Sequence, residues 1–399
     1  MSRIALVASG SGGDLFPILA TAGALEESGH EVVILAPRLI AVMARGWGQR
    51  VIGVGSASAH HGIGTDRGLI TAGDDGLDAW QTFFERYAAK EISASTQTRR
   101  IFEKMAIEAV VAHPFAFFGK LAASALELPV VGLQLFPSLL SRLDRIDPSF
   151  APVLSGELRL AEKKMGLTQT DHPLRSWLTN GTNLLAHEEW LASDRDRLLG
   201  LPFVGYPYND RIAPQSAFQA DLDWVSQSED PVVAFSMGTL VGLSHEDMWT
   251  WATDVSADLG ISALLLNAPR IPSTELPDRM RGAPFVPISY LGPCCAAFVH
   301  VGGLGFTYGS LEAGVPSVVV PMAFDQGHNA ELLERSGAGL SVGWGGWSSM
   351  GTALERVLAD GRFEQAAQLC RDRINARPTS SRRIAAHVEA LLRSQAPRD

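Results

Sequence analysis

Cysteine is scarce. Three cysteines in 399 residues, with Cys294 and Cys295 adjacent and Cys370 distant, give no disulfide or zinc framework. A reducing, cytosolic setting is the expectation. Long apolar runs are missing too. No stretch approaches the roughly 18–20 residues a membrane-crossing helix needs. The first apolar run, Ile4 to Ala8, leads into a glycine loop rather than a cleavage site, so no secretory leader is read there. Peripheral attachment through an apolar patch and the oligomeric state stay open. Basic charge is also in deficit: the net charge is −10 with no basic stripe, which argues against a nucleic-acid partner. No carboxylates or histidines recur at metal-ligand spacing, so neither a metal nor a resident cofactor is expected. Finally, a dinucleotide fingerprint fails at its third glycine. Gly10-Ser11-Gly12-Gly13-Asp14-Leu15 puts Leu15 there, and the next strand ends in Ala36-Pro37 with no acid for a ribose, which excludes a nicotinamide or flavin enzyme.

What is present is a globular α/β pattern. Hydrophobic residues make up 46% and charged residues 19%, which rules out a disordered chain, and the length predicts two domains. Ile4 to Ala8, Val32 to Ala36 and Val51 to Val54 read as strands, and Pro17 as the opening of the first helix after a loop from Ser9 to Phe16. Strand, helix, strand in so short a span means a parallel sheet. The polar segment from Ser56 to Gly76, with His60 and His61, is too long for a simple connection. A helix follows from Gly76 to Met105, with Trp80, Phe83, Phe84 and Tyr87 on one face, either as core or as a site wall. Ala109 to Ala112 and Val130 to Leu133 are buried strands. Ser138 to Trp177 is a looser helical segment, either a cover for the sheet or the lining of an apolar pocket. Asn183 to His187 and Phe203 to Gly205 close this half. After a proline-containing linker the rhythm restarts with strands at Val232 to Ser236, Ile261 to Asn267, Phe285 to Pro287, Ala296 to Val299 and Ser317 to Val320. Three helices end the chain. The expected fold is therefore two Rossmann-like parallel-sheet domains facing a cleft. The divisions are residues 1–205, a linker at 206–220, residues 221–380, and a last helix at 381–399 that packs back on the first domain.

The densest information lies in His300 to Ala330, HVGGLGFTYGSLEAGVPSVVVPMAFDQGHNA. Gly302, Gly303 and Gly305 stand between a strand and a helix, where backbone N–H groups can approach an anion closely. Asp325 and Gln326 follow the next strand, at the edge of a parallel sheet where ligands bind. A phosphate cradle beside hydroxyl-reading side chains suits a nucleotide sugar.

With these motifs quoted, the chain resembles glycosyltransferases of the GT-B fold that use nucleotide-activated sugars on lipophilic acceptors. The likeness rests on Gly-Ser-x-Gly-Asp-x-x-Pro from Gly10 to Pro17, the strand–Gly238–Thr239 turn, and His-x-Gly-Gly-x-Gly with Gly-Val-Pro and Asp-Gln-x-x-Asn-Ala behind it. It covers nearly the whole chain. Within the group, the segments Gly10 to Pro17, Leu133 to Leu140, Val204 to Asn209 and Pro293 to Gly305 are most similar to rhamnosyltransferases of bacterial rhamnolipid synthesis, and antibiotic and macrolide glycosyltransferases share most of the same residues.

The resemblance implies an inverting, metal-independent transfer of a hexose or deoxyhexose. The donor would be a dTDP- or UDP-sugar and the acceptor an apolar hydroxylated molecule such as a lipid or an aglycone. The first domain would bind the acceptor and the second the donor. It assigns Asp14 as the base, although an Asp near a helix start is equally a cap. No second residue that would orient Asp14 stands out. Gly238, Thr239, His300, Gly302, Gly303, Gly305 and Thr307 would hold the diphosphate, and Asp325 and Gln326 the sugar. Phe285 would stack on the base with Val286 beside its edge, unless Phe285 is plain core. The chain departs from the family pattern at Val301 and Phe306, where a phosphate-binding His and a hydroxyl residue are usual. That departure means either a grip through backbone and His300 or a weakened donor site. Two other classes fit the same fold: a catalytically idle binding protein, and a sugar-nucleotide 2-epimerase, which would need more acids than Asp14 and Asp325.

Overall fold

The computed structural model describes residues 1–56, 69, 77–143, 149–208, 215–238, 246–266, 276–343 and 347–395. They fall into two compact units. The first lies within Met1–His61, Trp80–Asn209 and Pro378–Asp399, and the second within Gly62–Ala79 and Asp210–Arg377.

The first unit is built on β1 (Arg3–Val7), β2 (Glu31–Pro37), β3 (Val51–Val54), β4 (Ala109–Ala112), β5 (Val130–Gln134) and β6 (Thr182–Leu185). All pair in parallel, in the order β3-β2-β1-β4-β5-β6. Ile4, Leu6 and Val7 are fully buried, as are Val110, Val111 and Ala112. Runs of this kind, apolar on both faces, belong to a parallel sheet covered by helices on either side. The second unit repeats the plan with β7 (Val232–Ser236), β8 (Ser262–Leu266), β9 (Met280–Ala283), β10 (Ala297–His300), β11 (Ser317–Val319) and β12 (Gly339–Ser341), ordered β12-β11-β10-β7-β8-β9. Matching β7 with β1, β8 with β2 and so on, the two sheets have identical winding. In each, the direction of winding reverses beside the first strand, between β1 and β4 and between β7 and β10. That is where open α/β sheets bind ligands.

The structure departs from the sequence expectation in several places. The first helix, Gly12–Glu27, starts before Pro17 and carries it inside. Ser11 and Asp14 close the helix start early, and Pro17 has no N–H to offer the carbonyl of Gly13. The helix expected over Gly76 to Met105 is broken into pieces, with a π-helical stretch at Phe84–Ala88 and a 3₁₀ stretch at Ile92–Ala94. Trp80, Phe83, Phe84 and Tyr87 are buried and belong to the core. Phe203 forms only an isolated bridge to Leu185 in place of a strand. A helix at Gln219–Gln227 begins inside the expected linker. The third strand of the second sheet is Met280–Ala283, not Phe285 to Pro287. Its residues, Met-Arg-Gly-Ala, carry too little apolar signal to be read, and Pro284 follows immediately. The loop from Ser56 to Gly76 lies almost wholly outside the described residues, including His60 and His61.

The last helix, Ser380–Gln395, lies against Gly12–Glu27 within the first unit. Arg382 pairs with Glu27 at 3.1 Å and Arg383 with the buried Glu188 at 2.5 Å. No helix among the described residues is long and apolar enough to cross a membrane.

Deep in the first unit, on the helix Phe117–Ser124, Lys120 is fully buried. Its Nζ donates to the carbonyls of Trp177 (2.9 Å) and Leu178 (3.1 Å), at the end of the helix Pro173–Leu178. Burial pulls its pKa from 10.5 down to about 7. A neutral amine keeps two donors, enough for both carbonyls. Between about pH 7 and 10.5 the unfolded chain holds a proton here that the folded chain releases, so this group adds stability as pH rises through that window. In Lys120→Met the contribution vanishes. Urea unfolding should show the stability gap between wild type and variant widening from pH 7 to pH 10; a gap that stays constant would refute the assignment.

Candidate active site

The second unit assembles a cradle at the end of β10. His300 is the last strand residue, and Gly302 and Gly303 connect it to the helix Leu304–Ala313. His300 is buried, with Nδ1 accepting from the Gly302 N–H at 3.1 Å. That assigns the imidazole proton to Nε2, which has no hydrogen-bond partner among the described residues. Burial lowers the His300 pKa to about 3, so the ring is neutral. Phe306 stacks on it at 4.6 Å between centroids and meets Phe298 edge-on at 5.4 Å. Val301 is buried among the aliphatic core residues of the sheet. The two apolar departures from the family pattern thus have packing roles.

The glycines differ in kind. Gly302 has φ +83°, and a methyl group there would lie 2.8 Å from Val319 Cγ1 and 2.9 Å from the Gln326 carbonyl. Its glycine is required by the fold. Gly303, the helix N-cap, has an ordinary φ of −59° and nothing within 4 Å of where a Cβ would stand. The fold does not require that glycine; an open face above a helix N-terminus does suit an approaching anion. Gly305 lies in the helix's first turn. Gly238, after β7, comes alongside because Ser236 pairs with His300 in the sheet, and Val301 Cγ2 lies 3.6 Å from its Cβ position. Thr239 lies outside the described residues. Thr307 is buried with its hydroxyl donating to the Gly303 carbonyl at 3.1 Å, so it braces the helix and is not presented at the loop.

Asp325 and Gln326 open the helix Gln326–Ser336 and are largely buried. The Asp325 carboxylate makes no cap bond. Its Oδ2 accepts from Asn329 Nδ2 at 2.7 Å, and the same nitrogen donates to the Gly302 carbonyl at 2.8 Å. Asn329, given no role from sequence, therefore ties the two loops together. Gln326 Oε1 accepts from the Met322 and Ala323 N–H groups at 2.7 and 3.0 Å, which leaves its amide nitrogen to donate elsewhere. Phe285 is half-buried and Val286 is part of the core, both just past the end of β9.

In the first unit, Asp14 is the third residue of its helix. Its Oδ2 accepts from the Ser11 N–H (2.6 Å) and hydroxyl (2.8 Å). Gly10, at φ +95°, makes room for the carboxylate, which a side chain at that position would strike. The other oxygen, Oδ1, lies 3.5 Å from Nε2 of His113. Sequence reading found no partner for Asp14. The available signal was positional: His113 directly follows β4, the neighbour of β1.

Comparison with known proteins agrees with this architecture. Residues 251–391 match the family described as Erythromycin biosynthesis protein CIII-like, C-terminal domain. The chain is 27% identical to L-demethylnoviosyl transferase of Streptomyces niveus, over 99% of this chain and 100% of that one. It is 30% identical to aclacinomycin-T 2-deoxy-L-fucose transferase of Streptomyces galilaeus, a match that spans only 43% of this chain and 42% of that protein. Among solved structures it superposes on the spinosyn rhamnosyltransferase SpnG complexed with thymidine diphosphate, with TM-score 0.71 and 24% identity, covering 98% of this chain and 100% of that one. The fold is GT-B.

The two glycines make a test of this geometry. Gly302→Ala should lower unfolding stability by about 1–3 kcal/mol, the scale of a strained backbone position. Gly303→Ala should leave it within about 0.5 kcal/mol. Denaturant melts of the two variants check this, and equal losses would contradict the geometry.

Proposed function

We propose that this GT-B glycosyltransferase moves a hexose or deoxyhexose, rhamnose included, from a nucleoside diphosphate to a hydroxyl of an apolar acceptor. In this reading the anomeric carbon inverts and no metal ion takes part. The observation that carries the proposal is the open face of Gly303 beside the backbone N–H donors at the N-terminus of Leu304–Ala313, in a loop that the buried His300 ring braces by accepting from the Gly302 N–H. Such donors suit a diphosphate. The sugar-reading pair, Asp325 and Gln326, is fastened to the same loop through Asn329.

The second unit holds the donor, with Gly238, Thr239, Gly302, Gly303, Gly305 and His300 around the diphosphate and Phe285 and Val286 at the base. The first unit serves the acceptor. The acceptor oxygen attacks the anomeric carbon as its proton passes to Asp14. The bond from that carbon to the diphosphate oxygen breaks, and its electron pair leaves with the diphosphate. The helix N–H groups and His300 Nε2–H meet that growing charge. A single displacement of this kind inverts the carbon. A thymidine diphosphate donor is the first choice, since SpnG is solved with thymidine diphosphate and the curated relatives include a 2-deoxy-L-fucose transferase; a uridine diphosphate donor is second. An apolar aglycone or a hydroxylated lipid is the acceptor class.

Calorimetry with thymidine and uridine diphosphates tests the donor site. Binding is expected, weakened about tenfold or more in Gly303→Ala and in His300→Phe. Binding of neither nucleotide would favour an idle protein on the same scaffold. Asp14→Asn should bind nucleotide as the wild type does, while turnover falls by about 10²–10⁴, the usual worth of a general base. Undiminished turnover would remove Asp14 from the mechanism. A chelator should leave the rate unchanged.

A further inference from the structure

Among the described residues, the carboxylate of Asp14 is hydrogen-bonded at one oxygen only. Ser11 supplies two donors to Oδ2, which fixes that atom against the start of the helix. Oδ1 is left to face His113. That imidazole is completely buried, with the rings of Phe115 and Phe136 edge-on to it at 5.3 and 5.8 Å. Its Nδ1 accepts from the Phe115 N–H at 3.3 Å, so the proton of the neutral ring sits on Nε2. Nε2 has no hydrogen-bond partner among the described residues, and Asp14 Oδ1 lies 3.5 Å from it. A buried N–H without an acceptor is costly, and few groups in a folded protein tolerate it. The separation is slightly longer than the 2.7–3.2 Å of an ordinary N–H···O bond. Hydrogen bonds of catalytic groups are often long before substrate arrives and tighten in the complex.

We propose that His113 is a positioning residue for Asp14: its Nε2–H closes onto Oδ1 and turns the remaining lone pair of that oxygen toward the acceptor hydroxyl. The proposal rests on the reading of Asp14 as the base. His113 itself neither gains nor loses a proton in the step. The aromatic box holds the ring at one orientation, and the Phe115 N–H selects the tautomer. The relation is the reverse of a histidine base oriented by a carboxylate: here the carboxylate is the base and the imidazole orients it.

The alternative is that His113 only fills the core. His113→Phe keeps a ring in the box and removes the N–H. The expected result is a fall in kcat of about tenfold or more, the worth of one hydrogen bond, with the KM for the nucleotide sugar and the melting temperature little changed. His113→Gln, whose amide N–H can reach the same oxygen, should recover part of that rate. The double variant Asp14→Asn/His113→Phe should be no slower than Asp14→Asn alone, because the imidazole then has no carboxylate to orient. Wild-type kcat in His113→Phe, or losses that multiply in the double variant, would overturn the proposal. If the Phe variant does not fold, His113→Asn replaces it. Its shorter amide falls away from Oδ1, so Asn is expected to be slower than Gln, and equal rates would overturn the proposal. An active Asp14→Asn enzyme would instead defeat the base assignment. An inactive Asp14→Asn beside a normal His113→Phe would defeat only the role given to His113.

Discussion

The seating of Gly302 against the neighbouring loop is the constraint on which the candidate site of the second unit depends. With φ at +83° and both Val319 and the Gln326 carbonyl closer than van der Waals contact to where a side chain would begin, residue 302 is held to glycine. That closeness lets Asn329 span from the Gly302 carbonyl to the Asp325 carboxylate with one amide group. The loop after β10 and the loop after β11 become one fitted piece. Phe324, a non-glycine residue at φ +57°, immediately precedes Asp325. A residue in that region stores on the order of 1–3 kcal/mol and persists only where its surroundings hold it. Gln326 does so by accepting two backbone N–H groups of the same turn. The direction of the Asp325 side chain is thus set by strain on one side and by hydrogen bonds on the other.

The two units use the same local device. In each, a histidine stands at the end of the strand next to the first strand: His113 after β4 and His300 at the end of β10. In each, Nδ1 accepts from the backbone N–H two residues further on, and Nε2 is buried with no hydrogen-bond partner among the described residues. The backbone turn that ends the strand selects the tautomer, so a neutral N–H donor is delivered to the ligand-facing edge of the sheet at no cost in charge. One such nitrogen lies 3.5 Å from a carboxylate oxygen of the chain; the other belongs to a ring stacked on Phe306. The correspondence follows from identical winding, since both histidines sit where the strand order reverses.

How much of this could be read from sequence depended on whether the signal was local. Runs such as Ile4 to Ala8 or Ala296 to Val299 announce buried parallel strands, because both faces must be apolar. The helix Leu304–Ala313 is bounded by glycines that carry their own message. β9 and β12 were not legible, since Met-Arg-Gly-Ala and Gly-Leu-Ser become strands only by pairing with neighbours already in place. Pro17 misled because a proline usually opens a helix, whereas Ser11 and Asp14 start this one earlier. The partners of site residues were the least legible of all. Asp14 meets His113, and Asn329 meets Gly302, through sheet order and loop seating rather than through spacing along the chain. Thr307 shows the converse: its type and position suggested a phosphate ligand, but its hydroxyl is spent on the carbonyl one turn back.

Val301 and Phe306 looked from sequence like a weakness in the cradle. In the fold they point to a different means of holding an anion. Val301 extends the core to the mouth of the loop, and Phe306 lies flat on His300. A hydroxyl or a second imidazole at these places would add a donor, and would also bring water to the ring already there. The apolar pair does the opposite: Phe306 covers the His300 ring, and burial lowers its pKa to about 3, so the ring is neutral above that pH. A hydrogen bond from a dry donor is electrostatically stronger than the same bond in water. The donor also needs no rearrangement when negative charge grows on the departing oxygen. In the proposed donor site, loss of two side-chain contacts is offset by the quality of the one that remains together with the backbone N–H groups. That trade depends on the aromatic lid, so the identity of residue 306 matters to the cradle even though its side chain has nothing to offer a phosphate.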